Sequence, residues 1–319
     1  MNLNHHILLI GTGPMAEAYT DVLKSLAIRF TVVGRDETSA AEFTAKTKIN
    51  AVPGGIENFL TEENVKKFDH AIIATGPENL LSVMEFLLQK GIVKILVEKP
   101  AALSIEELLE AKQKLEQWQD QVFVAYNRRF YGATELCKQL IQEDGGLETM
   151  QFEFTELVHL VERRPRTQEV LSNWYYANST HVIDMAFHLA GKPVDWQSYV
   201  SEGVLSWHPK TKYAGAGVTD KGVLFSYLSN WDSAGRWAIE LMTPKRRIYL
   251  KPLEKVHVQE KGTFEIYELE LGSNWDNQFK PGLYKQVESF VYRPEILYSL
   301  KSHFEQTEMV FLPILQGKK

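Results

Sequence analysis

The 319-residue chain contains a single cysteine, Cys137. A lone thiol has no internal disulfide partner, and nothing in the sequence supplies the Cys/His spacing of a zinc site, so no metal is expected. A reducing cytoplasm suits such a chain. Long hydrophobic runs are missing as well: the apolar stretch Ile7–Ile10 is far too short for a signal sequence or a membrane span, and it leads straight into a glycine turn. There is no long basic block. Lys and Arg total 35 against 41 Asp and Glu, a formal charge of -6, which argues against nucleic acid and anionic membrane as partners and leaves small molecules. Low-complexity tracts and internal repeats are also lacking. What remains is an ordinary globular composition, 44% hydrophobic and 24% charged, long enough for two cores.

Within that composition, the stretch Ile95-Leu96-Val97-Glu98-Lys99-Pro100 stands out. An apolar run that ends abruptly in a carboxylate, an ammonium and a proline reads as a buried parallel strand delivering charge to the sheet edge where ligands of open α/β sheets sit. Lys99 is therefore the candidate chemical centre; a strand followed by a solvated lysine is the plain alternative.

The context upstream favours chemistry. His6–Ile10 is a short apolar run, followed by Gly11-Thr12-Gly13-Pro14-Met15-Ala16 and an amphipathic segment from Glu17 to Leu26, the order strand, tight turn, helix. Gly11 permits the turn and Gly13 lets the backbone approach a pyrophosphate. Ala16 allows close helix packing, so that phosphates meet a helix N-terminus. A second apolar strand, Ile28–Val33, ends in Gly34-Arg35-Asp36. An acid that would hold the adenosine ribose of NAD belongs about here, some 20 residues past the turn; glycine stands in its place and Arg35 follows. The planar fork of an arginine matches the 2′-phosphate of NADP, so NADP is the expected cofactor. NAD stays open, because Arg35 can equally be a surface residue and Asp36 can reach a ribose.

Strand and helix signals go on alternating through Ala51, Ala71–Ala74, Glu78–Lys90, Ile95, Ser104–Trp118 and Val122–Tyr126, the pattern of a doubly wound parallel sheet. Ser104 and Glu107 form a capping box at the start of the last of these helices. From Met150 on the signal changes to β-like runs, at 150–154, 222–227, 237–241, 247–250 and 256–258, which predict an α+β domain with a mainly antiparallel open sheet; helical spacing returns from Gly282 to Phe311. The expected organisation is a dinucleotide-binding Rossmann domain over residues 1–126 and a substrate-binding and oligomerisation domain over 127–319.

The glycine turn, Glu98-Lys99-Pro100, Tyr126-Asn127-Arg128-Arg129-Phe130 and His181-Val182-Ile183-Asp184 together resemble, in order and spacing, the glucose-fructose oxidoreductase / inositol dehydrogenase / MocA family, over nearly the whole chain. The resemblance implies an NAD(P)-dependent oxidoreductase acting on a sugar, cyclitol or nucleotide sugar, assembled as a homo-oligomer, dimer or tetramer. It implies Lys99 and His181 as catalytic residues, with Asp184 as a structural neighbour. Gly11, Thr12, Gly13, Pro14, Met15, Gly34, Arg35, Thr75 and Glu98 form the implied cofactor set, and Asn127, Arg128, Arg129, Tyr176 and Asn178 the implied substrate set. Two departures from the family pattern matter. No histidine follows Ala74-Thr75-Gly76-Pro77, and the acid usual four residues before the family's histidine is replaced by Ala177. A non-catalytic nicotinamide-binding sensor, or a redox-neutral sugar enzyme using transient oxidation, are the competing readings.

Other residues have ordinary explanations beside functional ones. His181, Asp184 and His188 share a helix face at i, i+3 and i+7, the spacing of metal ligands, but His188 follows an apolar segment and reads as a hydrogen-bonded core histidine. Arg163, Arg164 and Arg166 fit a solvated loop, and also a phosphorylated or carboxylated substrate. Trp174-Tyr175-Tyr176 fit a plain core, and also a stack on a sugar face.

Overall fold

The computed structural model describes residues 5–272 and 275–318. The chain forms two compact units, one running up to Tyr126 and including Gln278–Glu305, the other comprising Asn127–Asn277 and the chain from Gln306 on.

The first unit is built on six parallel strands: β1 (His6–Ile10), β2 (Arg29–Val33), β3 (Ala51–Val52), β4 (His70–Ile73), β5 (Ile95–Glu98) and β6 (Val122–Ala125), in the order β3-β2-β1-β4-β5-β6. Strands covered on both faces carry continuous apolar runs, and β1 and β4 are buried along their whole length. The order grows outward in both directions from the β1–β4 pair. Such a switch point opens a crevice at the carboxyl ends of the strands.

Two helices fix the carboxyl edge. Helix α1 (Pro14–Ser25) buries Ala16, Tyr19, Val22 and Leu23, and its Pro14 sits in the first turn, where the missing N–H costs nothing. Helix α2 (Glu37–Thr47) is capped by Asp36, whose side chain accepts from the Ser39 N–H at 2.8 Å. Ser104 caps its helix as expected, with the Glu107 N–H donating to Ser104 Oγ at 3.1 Å, while Glu107 Oε2 reaches one residue further back than in a capping box and accepts from the Leu103 N–H at 2.6 Å. The helix Leu283–Tyr292 contributes Leu283, Val287 and Phe290 to the same core as Ile7, Leu9 and Ile72.

In the second unit eight strands follow the order β14-β13-β12-β11-β7-β10-β9-β8. They are β7 (Thr149–Glu153), β8 (Pro193–Glu202), β9 (Lys210–Thr219), β10 (Leu224–Asn230), β11 (Ala238–Met242), β12 (Arg246–Leu250), β13 (Val256–Glu260) and β14 (Tyr267–Leu269). All pairs are antiparallel except β7 with β10. Side chains alternate along β10: Phe225, Tyr227 and Ser229 are buried, while Leu224 and Leu228 are exposed. The buried face is covered by the helix Thr180–Ala190, whose Phe187 meets Phe152 and Phe225 edge-on at ring distances of 5.5 and 5.1 Å.

Strands β8 and β9 are the longest of the sheet, yet the sequence did not announce them. In β9 the run Ala214-Gly215-Ala216-Gly217 replaces the usual β-branched residues. A Cβ on Gly215 would lie 2.4 Å from the Tyr227 ring and one on Gly217 2.2 Å from Trp196 Cβ. Gly215 makes room for the Tyr227 ring and Gly217 for the close approach of β8 at Trp196, requirements set by partners distant in sequence.

Candidate active site

The glycine turn lies at the carboxyl end of β1, where α1 begins. Gly11 has φ +116, and a Cβ there would meet the Ala74 carbonyl oxygen at 2.4 Å, so both conformation and space demand glycine. Gly13 is different. A Cβ there would touch nothing within 4 Å, and no side chain caps the N-terminus of α1. The backbone N–H groups of the first turn, including those of Met15 beyond Pro14, are thus available for an anion. A pyrophosphate fits this end: the donors are backbone amides, and the bare Gly13 leaves room for close approach.

Gly34 is held by packing. A Cβ on it would fall 2.9 Å from Thr12 Cγ2 and 3.3 Å from Ala40 Cβ, which ties the second strand to the turn. Arg35 beside it is 86% exposed and donates Nε to Asp36 Oδ2 at 2.9 Å. Asp36 is committed to capping α2. The Ser39 backbone N–H and the Arg35 guanidinium hold its carboxyl down at about 2. Thr75 follows β4 and is half-buried.

Glu98 closes β5 and accepts from Tyr19 Oη at 2.7 Å. Burial pushes the Glu98 carboxyl above the usual carboxylate range, against the pull of the Tyr19 hydrogen bond and of the Lys99 and Lys280 charges; burial and the Glu98 charge together drive the Tyr19 hydroxyl far up. Lys99 comes next, joined to Pro100 by a cis peptide bond. The Pro100 carbonyl accepts from His303 Nε2 at 2.9 Å. The expected cofactor residues and Lys99 therefore stand at the carboxyl ends of β1, β2, β4 and β5, on one edge of one sheet.

The remaining expected residues fall in the second unit. Asn127, Arg128 and Arg129 form a single helical turn, Asn127–Phe130, after β6. Asn127 is buried. Arg128 lies over the rings of Trp237 and Tyr131 at 5.0 and 5.8 Å. Arg129 forks onto Asp184, Nε to Oδ2 at 2.9 Å and Nη2 to Oδ1 at 2.6 Å.

His181 opens the helix Thr180–Ala190, directly after a π-helical turn at Tyr175–Ser179. It is 8% exposed, with its ring 6.2 Å from Trp237. Further along the same face, Asp184 is held by Arg129 and His188 Nε2 sits 2.6 Å from Lys138 Nζ, so cations from elsewhere occupy both of the other ligand-type side chains. Burial, with Arg129, Lys138 and Lys221 nearby, drives the His188 imidazole down to about 2. Tyr176 is a core residue, 1% exposed and edge-on to Phe311.

Asn178 leads to a residue that sequence reasoning passed over. Its Nδ2 donates to Glu156 Oε2 at 2.8 Å, and Ser179 Oγ donates to Oε1 at 2.7 Å. Glu156 is 5% exposed, and burial raises its carboxyl above the ordinary range against these hydrogen bonds. The sequence signal was weak: an acid three residues past the alternating β7 strand, which itself ends in Glu153. Trp237, expected inside a strand, precedes β11 and reaches both Arg128 and His181.

Residues 5–126 match the model of the oxidoreductase family with the NAD-binding Rossmann fold. The match covers this segment, and with it the chain is a nicotinamide-dependent oxidoreductase. No curated protein matches the sequence. Solved structures share the fold over nearly the full length. Levoglucosan dehydrogenase, in complex with NADH, is 16% identical over 98% of this chain and 96% of its own, with a TM-score of 0.77. UDP-N-acetylglucosamine 3-dehydrogenase GnnA from Acidithiobacillus ferrooxidans is 14% identical over 97% and 96%, TM-score 0.71. An oxidoreductase from Agrobacterium radiobacter, in complex with NAD+, L-tartaric acid and magnesium, is 14% identical over 96% and 94%, TM-score 0.75.

Proposed function

We propose that this oxidoreductase acts on a hydroxyl or keto carbon of a sugar, cyclitol or nucleotide sugar, with NADP as the preferred cofactor and NAD as the alternative. The observation that carries the reading is the uncapped N-terminus of α1 beside bare Gly13, on the same sheet edge as Lys99. When bound there, the nicotinamide supplies a hydride acceptor or donor at C4. The chain's own groups do the rest. The turn Gly11–Met15 binds the pyrophosphate, Arg35 takes the 2′-phosphate, and Thr75 and Glu98 line the nicotinamide end. Lys99 holds the reacting oxygen and stabilises the negative charge that develops on it. His181 exchanges the hydroxyl proton, a step typically contributing about 10²- to 10⁴-fold. Asn127, Arg128 and Asn178 line the substrate side, while Arg129 and Tyr176 act from behind.

The dehydrogenase names of two structures with this fold, levoglucosan dehydrogenase and the UDP-N-acetylglucosamine enzyme, support a sugar-type substrate. The exposed face of the eight-stranded sheet, with Tyr199, Leu224 and Leu228 each more than half exposed, supports a homo-oligomer, and the single cysteine suits the cytoplasm. Among the described residues no helix is long and apolar enough to cross a membrane. The test is to mix the protein with NADP+ and a panel of sugars, sugar acids, cyclitols and nucleotide sugars and follow reduced-cofactor absorbance. Turnover of a panel member supports the reading, and cofactor binding with no absorbance change across the panel favours a sensor instead.

A further inference from the structure

Within the second unit, the segment after β7, the loop from Arg163 to Arg166 and the connection before β11 enclose a cavity of about 470 Å³. We propose that this cavity is an anion-recognition subsite that takes a phosphate or carboxylate group carried by the substrate. The proposal rests on the sugar oxidoreductase reading and narrows its substrate to anionic sugars.

Four guanidinium groups line the cavity, from Arg163, Arg164, Arg166 and Arg236, against the carboxylates of Glu156 and Glu254. Glu156 neutralises little of this charge. Both its oxygens already accept hydrogen bonds from Asn178 and Ser179, and burial favours its neutral form. The arginines divide into one that is fixed and three that are not. Arg166 donates Nη1 to the Val161 and Arg164 carbonyl oxygens and lies over the Trp174 ring at 4.4 Å. It braces the loop. For Arg163, Arg164 and Arg236, no carboxylate lies within ion-pair distance among the described residues. Burial and the neighbouring Arg164 charge lower the Arg166 pKa, against the opposing pull of Glu156.

Lone surface arginines are commonplace, but these surround a concave site. Its walls include Leu160, Trp174 and Trp237, and apolar walls focus the field of the charges and strengthen each pairing relative to open solvent. The volume suits a small-molecule group. An arginine fork matches phosphate or carboxylate oxygens two at a time. The site also adjoins the proposed acid/base: Asn178 lies three residues before His181, and the Trp237 ring is 6.2 Å from the His181 ring. An anion held here belongs to the part of the substrate remote from the reacting carbon, where binding energy can position that carbon.

Trp174 and Trp237 make the subsite visible by fluorescence. Full-length protein is titrated with inorganic phosphate, UDP and glucuronate, with glucose as the neutral control. Saturable quenching by at least one anion and none by glucose is expected, and Arg164→Ala and Arg236→Ala should each weaken that anion by about tenfold, with partial recovery in Arg164→Lys. A preference for phosphate or UDP assigns a phosphorylated sugar; a preference for glucuronate assigns a sugar acid. The proposal is overturned if none of the three anions gives a saturable change, or if Arg164→Ala/Arg236→Ala binds them unchanged, because the anion is then held elsewhere. Turnover of neutral sugars without anion binding sinks the subsite and leaves the oxidoreductase reading standing. Arginine-dependent binding with no turnover of any anionic sugar does the reverse.

Discussion

Asn178 donates its side-chain amide to Oε2 of Glu156 at 2.8 Å, tying the turn that precedes His181 to the segment after β7. Ser179 makes the companion bond to Oε1 at 2.7 Å, in a buried setting. Removing the acceptor takes the partner from the buried Ser179 hydroxyl and from the part-buried Asn178 amide. Glu156→Ala is therefore expected to destabilise the protein by about 1–3 kcal/mol. Glu156→Gln, which keeps one acceptor oxygen and the shape, should cost less. Urea unfolding midpoints measure both, and equal stability of all three proteins would show that the carboxylate does not hold this turn.

Arg129 and Asp184 make the second prediction. The carboxylate is fully buried and the guanidinium 17% exposed, with two well-formed bonds between them. Breaking such a pair from one side strands a buried charge, so Arg129→Met should cost about 3–5 kcal/mol. Replacing both partners removes the stranded charge, and Arg129→Met/Asp184→Leu should recover much of the loss. A double-mutant cycle by denaturant unfolding tests this, and simple additivity of the two single changes would contradict it.

How far the sequence reached depended on where the determinants of each element lie. The Rossmann elements were legible because their causes are local: Gly11 at a forced positive φ, Ser104 and Glu107 capping their own helix, continuous apolar strands. The strand β9 was not, because Gly215 and Gly217 answer to Tyr227 and Trp196, which only the folded sheet brings near. The same holds around the site. Lys99 could be singled out from the run that carries it, whereas the pairing of Arg129 with a carboxylate 55 residues away, and of Glu156 with Asn178 22 residues away, leaves no mark on local spacing.

His188 gives a pH prediction. In the folded chain burial keeps it neutral down to about pH 2, while in the unfolded chain it titrates at 6.5. A depressed folded pKa means that its contribution is fully present above pH 6.5. Below that, the unfolded chain takes up a proton the folded one refuses, and stability declines by at most about 1.4 kcal/mol per pH unit from this group. His188→Gln should flatten the fall in unfolding free energy between pH 6.5 and 5. An unchanged slope would mean that His188 is not the group responsible.

Arg35 carries the cofactor prediction. It is exposed, and its Nε is taken by Asp36, which leaves the terminal nitrogens for a phosphate. NADPH is expected to bind more tightly than NADH, and Arg35→Ala should remove about a tenfold advantage or less, because solvent screens an exposed pairing. Isothermal titration of both cofactors decides it. If the unmodified protein binds NADH at least as well as NADPH, the 2′-phosphate assignment fails.

The last prediction joins Lys99, His181 and the missing acid at Ala177. Lys99 is proposed to act on the reacting oxygen, so Lys99→Ala should lower kcat far more than cofactor affinity, the mark of an interaction made in the transition state. His181 is proposed to move the proton, and His181→Ala should cost about 10²- to 10⁴-fold in rate. An imidazole works best with a partner that favours its charged form. Residue 177 lies one helical turn before His181 but is alanine, and the nearby Asp184 is held by Arg129. Any support for the proton transfer must accordingly come from a position other than 177, and the pH–rate midpoint reads whether an acid placed there adds to it. Ala177→Asp puts a carboxylate four residues before His181, within reach of its ring, and should move the midpoint upward. The position is only 7% exposed, so circular dichroism and the unfolding midpoint must first show a native fold. A folded Ala177→Asp protein with an unmoved midpoint, together with full activity in His181→Ala, would remove His181 from the mechanism.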